Sequence, residues 1–337
     1  MLLNLFKTKK VAAGKGTKYT KSFWNGVPKF EVVSKEFLET GTGPTIFLTS
    51  GIHGDEIAGS VILRKLFNYL KKNGLERGRV VGLVGINISG IKHLTRELAE
   101  TGEDINRLFG GKMDGTFGEQ LAYKIREEIF SYKPSLVIDM HNDYFFSTPY
   151  ILLDPKNLFT DKLYVDTASY ALSSGLYVVQ ERDDEREMYE NALSAYMVSK
   201  NIPAITLEGG PDKLILNKHI NTCFEALLNI LNTQKMLANF TSSINKPLLS
   251  KGKFGIFGFD KKMMENGYPI VSQFSGNIKY LKEPGEFVKE GEMVAKVYDE
   301  FGENGKKIFA SYNAYVLGHS EKVQIEEGEE IYWLGRL

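Results

Sequence analysis

Thr45-Ile-Phe-Leu-Thr-Ser-Gly-Ile-His-Gly-Asp-Glu56 opens with a short apolar run, breaks at Gly51, and then sets a histidine and a glutamate three residues apart. The run reads as a buried strand. Past Glu56, apolar residues at Ile57, Val61, Leu63, Leu66, Phe67 and Leu70 follow helical spacing, and Gly74 suits the end of that helix. A buried strand, a glycine-bounded loop and an amphipathic helix are the opening of a strand–helix alternation. The loop between them is where such folds carry their chemistry.

Outward from this stretch the alternation continues. Val80-Val-Gly-Leu-Val-Gly-Ile86 is a second strand, Phe117 to Ile129 a helix stopped by Pro134, and Leu136-Val-Ile-Asp-Met140 a strand interrupted by one acid. Tyr150-Ile-Leu-Leu153 pairs with a helix near 160–174, Tyr177-Val-Val-Gln180 with a helix near 188–200, and Ala204-Ile-Thr-Leu207 with a helix near 217–238. Apolar strands alternating with helices predict an α/β fold with a largely parallel sheet covered by helices on both faces. In such sheets ligands bind beyond the carboxyl ends of the strands. After about residue 245 the texture changes to short β-rich runs between glycine turns, as in Gly276-Asn-Ile-Lys-Tyr-Leu and Ala314-Tyr-Val-Leu-Gly318. The expected organisation is N-terminal lead-in strands over 1–44, an α/β domain carrying the chemistry over 45–244 and an all-β, barrel-sandwich-like domain over 245–337.

Composition narrows the function. The 337 residues carry 42 basic and 42 acidic side chains, so no net field draws the chain to nucleic acid or an anionic membrane. The apolar start, Met1-Leu-Leu-Asn-Leu-Phe-Lys, is too short for a secretory signal, and no stretch approaches a membrane span, so a cytoplasmic protein is expected. The single cysteine, Cys223, excludes an intrachain disulfide and a thiolate metal cluster; its helical surroundings point to a buried structural thiol.

His53 and Glu56, with His141 at the end of a later strand, make a two-imidazole, one-carboxylate set suited to catalytic zinc with a coordination position left open. Glu56 is read as the first turn of its helix, where the dipole favours an acid. Asp139 lies two residues before His141 on the same strand face, either to orient that imidazole or as a buried structural acid. Glu208, followed by two glycines, is placed to act as general base. Asp104-Ile-Asn-Arg107 sets Asn106 and Arg107 together, a donor pair matched to a carboxylate. Arg96 is either a second cation for a developing oxyanion or a solvated helix arginine. Specificity residues are expected in the charged loop Gln180-Glu-Arg-Asp-Asp-Glu-Arg186, where Arg182 or Arg186 is either a contact to a second substrate carboxylate or part of a solvated charge run. His93, His219 and His319 are expected in surface or structural roles.

Taken together, His53-Gly-Asp-Glu56, Asp104-x-Asn-Arg107, His141 and Glu208-Gly-Gly resemble the zinc carboxypeptidase superfamily, and within it the succinylglutamate desuccinylase/aspartoacylase family. The resemblance covers about 45–235 and extends to the C-terminal β domain. It implies an α/β/α sandwich around a mixed, largely parallel sheet, and one Zn2+ per chain held by His53, Glu56 and His141, with Glu208 as base. It also implies Asn106 and Arg107 on the substrate carboxylate and Arg96 on the scissile carbonyl. Two departures leave the acyl group open: Asn87-Ile-Ser stands where the family commonly has Asn-Pro, and Arg96 lies further from Asp104 than in dedicated desuccinylases. The expected activity is a deacylase on an N-acyl amino acid. A metallocarboxypeptidase on a short peptide and a non-catalytic zinc-binding relative are the alternatives, and a homo-oligomer remains open. Val288-Lys-Glu-Gly-Glu-Met-Val-Ala is similar to the turn of lipoyl- and biotinyl-type domains. Tyr298 to Lys307 lacks their modified-lysine signature, so a wall over the active site is expected there instead of a covalent cofactor.

Overall fold

Period-two alternation along Leu136–Asp143 sorts its side chains to two faces of a sheet. Leu136, Ile138 and Met140 enter one apolar core with the helices Ala58–Asn73 and Asn217–Thr233. Val137 enters a second core with Phe117–Ser131 and Leu193–Ser199. Asp139 and His141 share the Val137 face. Each large apolar side chain fully buried in these cores contributes about 1.5–3 kcal/mol, so the strand is held from both sides and its polar residues cannot swap faces. The computed structural model describes residues 9–12, 16–143, 146–238 and 263–336. The boundary expected near residue 245 lies outside the described residues.

The central sheet is mixed. Thr45–Ser50 pairs in parallel with Arg79–Val84 and with Leu136–Asp143, which pairs in parallel with Ala204–Pro211. Tyr150–Leu153 then runs antiparallel to Ala204–Pro211 and parallel to Tyr177–Gln180. On the far side, Val27–Val33 and Lys18–Trp24 extend the sheet as antiparallel strands. This is the predicted α/β sandwich.

The C-terminal strands do not stand apart. Met264–Asn266 pairs in parallel with Tyr177–Gln180 and antiparallel with Glu330–Arg336, so the central sheet continues into the β region. A second, four-stranded antiparallel sheet packs there around Val294, Val297, Ile308 and Ile325. Among the described residues no helix is long and apolar enough to cross a membrane.

Two helix expectations change. The helix expected from Glu56 begins at Ala58, and the helix expected near 188–200 divides into Arg186–Tyr189 and Leu193–Ser199. In both cases a side chain from another part of the chain supplies the cap. Asn142 Oδ1 accepts the Ala58 N–H at 3.2 Å, and Asn106 Oδ1 accepts the Leu193 N–H at 2.9 Å. A capped N–H marks a helix start, and neither cap is visible from local spacing.

Candidate active site

Freed from capping duty, Glu56 turns its carboxylate inward. Its Oε1 lies 2.6 Å from His53 Nδ1 and its Oε2 2.8 Å from His141 Nδ1. The Asn142 N–H also donates to Oε2 at 2.9 Å. The two Nδ1 atoms are 3.1 Å apart. All three side chains are buried. The loop carrying His53 can lie this deep because Gly54 has no side chain: a Cβ there would sit 2.0 Å from the Gly90 carbonyl carbon.

The outer ring nitrogens decide what this cluster is. His141 Nε2 is 2.7 Å from Asp139 Oδ2, and His53 Nε2 is 3.1 Å from Asp104 Oδ1. A carboxylate accepts, so each ring carries its proton on Nε2 and presents a lone pair at Nδ1. Two such lone pairs and a carboxylate then face one another, an arrangement that calls for a shared proton or a cation between them. That donor set fits a divalent cation, and His53, Glu56 and His141 offer ligand atoms all within 4.8 Å of one another. The field agrees. Burial opposes charge on His141, but Asp139 and Glu56 outweigh it and raise its pKa well above the usual imidazole value; His53 is raised in the same sense. Burial likewise opposes an ionised Glu56, yet the two imidazoles hold it well below the usual carboxylate range. The pocket favours positive charge at its centre.

Glu208 reaches the site through sheet register, being paired directly with His141 on the neighbouring strand. Burial pushes its carboxyl well above the usual range; His141 opposes this, while Asp143, Glu56 and Asp139 add to it. Gly210 behind it has φ +97°, and a Cβ there would meet His219 Nδ1 at 2.3 Å, so the backbone turns as it does only with glycine. Asn142 Nδ2 ties that turn down, donating to Gly210 O at 3.2 Å and Pro211 O at 2.9 Å. His219 is thus structural, its pKa lowered to about 4 by burial and the neighbouring Lys218.

Arg96 is not a helix residue. The helix Ile88–His93 ends at Leu94, in the left-handed conformation, and Asn87 Nδ2 holds the following loop through Arg96 O and Glu97 O. The guanidinium then spans Glu56 Oε1 at 3.3 Å and Asp104 Oδ2 at 3.2 Å. Asp104 is a hub that sequence reasoning quoted but gave no role: it accepts from His53, Arg96 and the Asn106 N–H. Arg107 lies 4.0 Å from it, with its guanidinium 5.1 Å from the Tyr189 ring centroid. His53, Glu56, Arg96, Asn106, Arg107, His141 and Glu208 all line one cleft of about 440 Å³, and Trp333 of the C-terminal β region closes part of its wall.

Asn142 and Asp154 escaped the sequence reading, and Glu181 stood in the charged loop without a role of its own. Asn142 supplies a cap and a latch; Asp154 and Glu181 line the cleft after two strands. Their only signal was position, each an acid or amide directly following a strand or a ligand. The charged loop 180–186 divides: Glu181 lines the cleft, whereas its arginines, Arg182 and Arg186, are not among the lining residues. Arg182 is bound to Asp184 and Glu185 and lies over the Tyr268 ring.

Comparison with known proteins agrees with this geometry. Residues 42–233 match the family described as succinylglutamate desuccinylase/aspartoacylase catalytic domain. N-alpha-acetyl-L-2,4-diaminobutyric acid deacetylase of Halomonas elongata is 30% identical over 121 residues, which span 36% of this chain and 34% of that protein. The crystal structure of succinylglutamate desuccinylase/aspartoacylase from Rhodobacter sphaeroides superposes with a TM-score of 0.74 at 20% identity, covering 96% of each chain. The product-bound ectoine utilization protein EutE (DoeB) from Ruegeria pomeroyi gives 0.73 at 17% identity over 100% of both. These likenesses carry the fold, and the matched domain, which covers more than half of the residues, carries the kinship. The chain belongs to the succinylglutamate desuccinylase/aspartoacylase family.

Proposed function

We propose that this protein is a zinc-dependent deacylase that hydrolyses the amide of a small N-acyl amino acid. The observation carrying this reading is the convergence of His53 Nδ1, His141 Nδ1 and the Glu56 carboxylate, with Glu208 in register beside them. A Zn2+ ion held there would supply Lewis acidity toward water and toward the scissile carbonyl. Glu208 takes a proton from the attacking water at its carboxylate and returns it to the leaving amine; its upward-shifted pKa suits a group that must do both. Arg96, 3.3 Å from Glu56, would stabilise the negative charge that develops on the carbonyl oxygen. Arg107 and the Asn106 amide nitrogen bind the substrate carboxylate. The Asn106 carbonyl oxygen is already committed to the Leu193 N–H, which orients the amide.

We further propose that 45–244 holds the chemistry and that 245–337 walls it. Trp333 at the cleft favours a small substrate over a peptide lying in an open groove, and so a deacylase over a carboxypeptidase. The name of the Halomonas elongata relative points the same way. Retention of every ligand and of the base argues against a non-catalytic relative.

The test is metal analysis with a screen of N-acyl amino acids, read as released amine. About one zinc per chain and chelator-sensitive turnover are expected. Glu208→Gln should keep the zinc and lower kcat by about 10²–10⁴-fold. Full activity in the metal-stripped protein overturns zinc dependence; an unchanged rate in Glu208→Gln removes it as base.

A further inference from the structure

The cleft extends well past the proposed metal site. Alternation along the strands carries one wall from Glu208 to Thr206, and the wall beside it from Tyr150 through Leu152 to Asp154, on a single sheet face. Register sets Tyr150 opposite Glu208 and Leu152 opposite Thr206. At ~3.3 Å per residue, Asp154 lies about 13 Å below the level of Glu208. Glu181 follows the adjacent strand, donates its backbone N–H to Leu153 O at 2.8 Å, and lines the same floor.

Asp154 is 7% exposed. Its Oδ1 accepts from Ser194 Oγ at 3.0 Å, and Thr206 Oγ1 donates in turn to Ser194 at 3.2 Å. Its Oδ2 is buried and accepts no hydrogen bond from the described residues. A buried carboxylate is rarely left half satisfied, since the uncompensated oxygen opposes folding. Arg96 and Arg107 are the only arginine or lysine side chains among the described lining residues, and both are engaged with Asp104. A dicarboxylate held by them would bring its second carboxylate into a cleft whose other charged lining groups are mostly acids, Asp154 and Glu181 among them.

We propose that Asp154, with Glu181, forms a cation subsite at the cleft floor, selecting a substrate that carries an ammonium group on one arm of its amide. This rests on the deacylase reading and deepens it. Burial pushes the Asp154 carboxyl up to about 7, so a docked ammonium also draws it into its ionised form.

The zinc-loaded enzyme is assayed on two cationic amides. Nα-acetyl-L-2,4-diaminobutyrate carries its ammonium on the amino-acid arm, and N-(4-aminobutanoyl)glycine carries it on the acyl arm. Their neutral counterparts are N-acetylnorvaline and N-pentanoylglycine, with N-acetylaspartate as the anion. The expected result is a kcat/KM for one cationic amide at least about tenfold above its neutral counterpart. That ratio should collapse toward one in Asp154→Asn, and fall in Glu181→Gln should the first variant not fold. Preference for the neutral or anionic amide overturns the proposal, as does a ratio unchanged in both variants. If no amide is hydrolysed the deacylase reading fails, and calorimetry on the zinc-loaded protein decides the subsite separately. Free 2,4-diaminobutyrate should bind at least about tenfold tighter than norvaline or aspartate; equal binding overturns it.

Discussion

Asp139 Oδ2 lies 2.7 Å from His141 Nε2, two residues apart on one strand, and Thr49 Oγ1 pins the other carboxylate oxygen of Asp139 at 2.7 Å. A strand places residues i and i+2 on the same face, so one stretch of chain carries both a proposed metal ligand and the acid placed to orient it. Asp139→Asn should weaken zinc affinity about 10–100-fold. Competition with a chromophoric chelator measures this, and an unchanged dissociation constant would reduce Asp139 to a structural acid.

Asn106 caps a helix and, in the proposed function, also binds the substrate carboxylate; the two separate by readout. Removing its carbonyl oxygen in Asn106→Ala strips the Leu193 N–H of its cap, for a loss of about 1–2 kcal/mol. Urea unfolding should show this loss in addition to a higher KM. A higher KM with unaltered stability would mean that the cap contributes nothing.

Gly210 tests the backbone behind Glu208, the proposed base. Gly210→Ala sets a methyl group 2.3 Å from His219 Nδ1 at a φ of +97°. The strain should destabilise the protein by about 1–3 kcal/mol and lower kcat by displacing Glu208. Gly210→Ala with wild-type melting temperature and wild-type kcat contradicts both expectations.

Asp154 imposes a pH dependence whose sign follows from its raised pKa, about 7 folded against the ordinary 3.8. Between those values the folded chain binds more protons than the unfolded one, so this group's contribution to stability declines as pH rises from about 4 to about 7 and levels off above. Relative to wild type, Asp154→Asn should gain on the order of 2–3 kcal/mol between pH 5 and pH 8. Denaturant midpoints at the two pH values measure the gain; a difference independent of pH rules out a titrating Asp154.

Much of the architecture was readable along the chain. The apolar runs at 45–50 and 136–140 were, because a buried strand writes its environment into adjacent residues. So was the proposal that His53, Glu56 and His141 share one site, since all follow strands whose carboxyl ends must face the same way in a parallel sheet. The start of the Ala58 helix was misjudged for a related reason. An acid before an apolar periodicity looks like a helix opening, and nothing nearby says that Asn142, 84 residues on, will take the cap.

Propensity and periodicity are properties of neighbours, and they told of strands, helices and the residue types that a hydrolytic site would need. Sheet register and packing brought together what lies far apart in the chain. Glu208 was set against His141, Asn106 under Leu193, Trp333 into the wall, and Asp154 with Glu181 onto a shared floor. Such pairings depend on which strands hydrogen-bond and in what alignment. Those choices minimise the free energy of the whole core, and no short window of residues contains them.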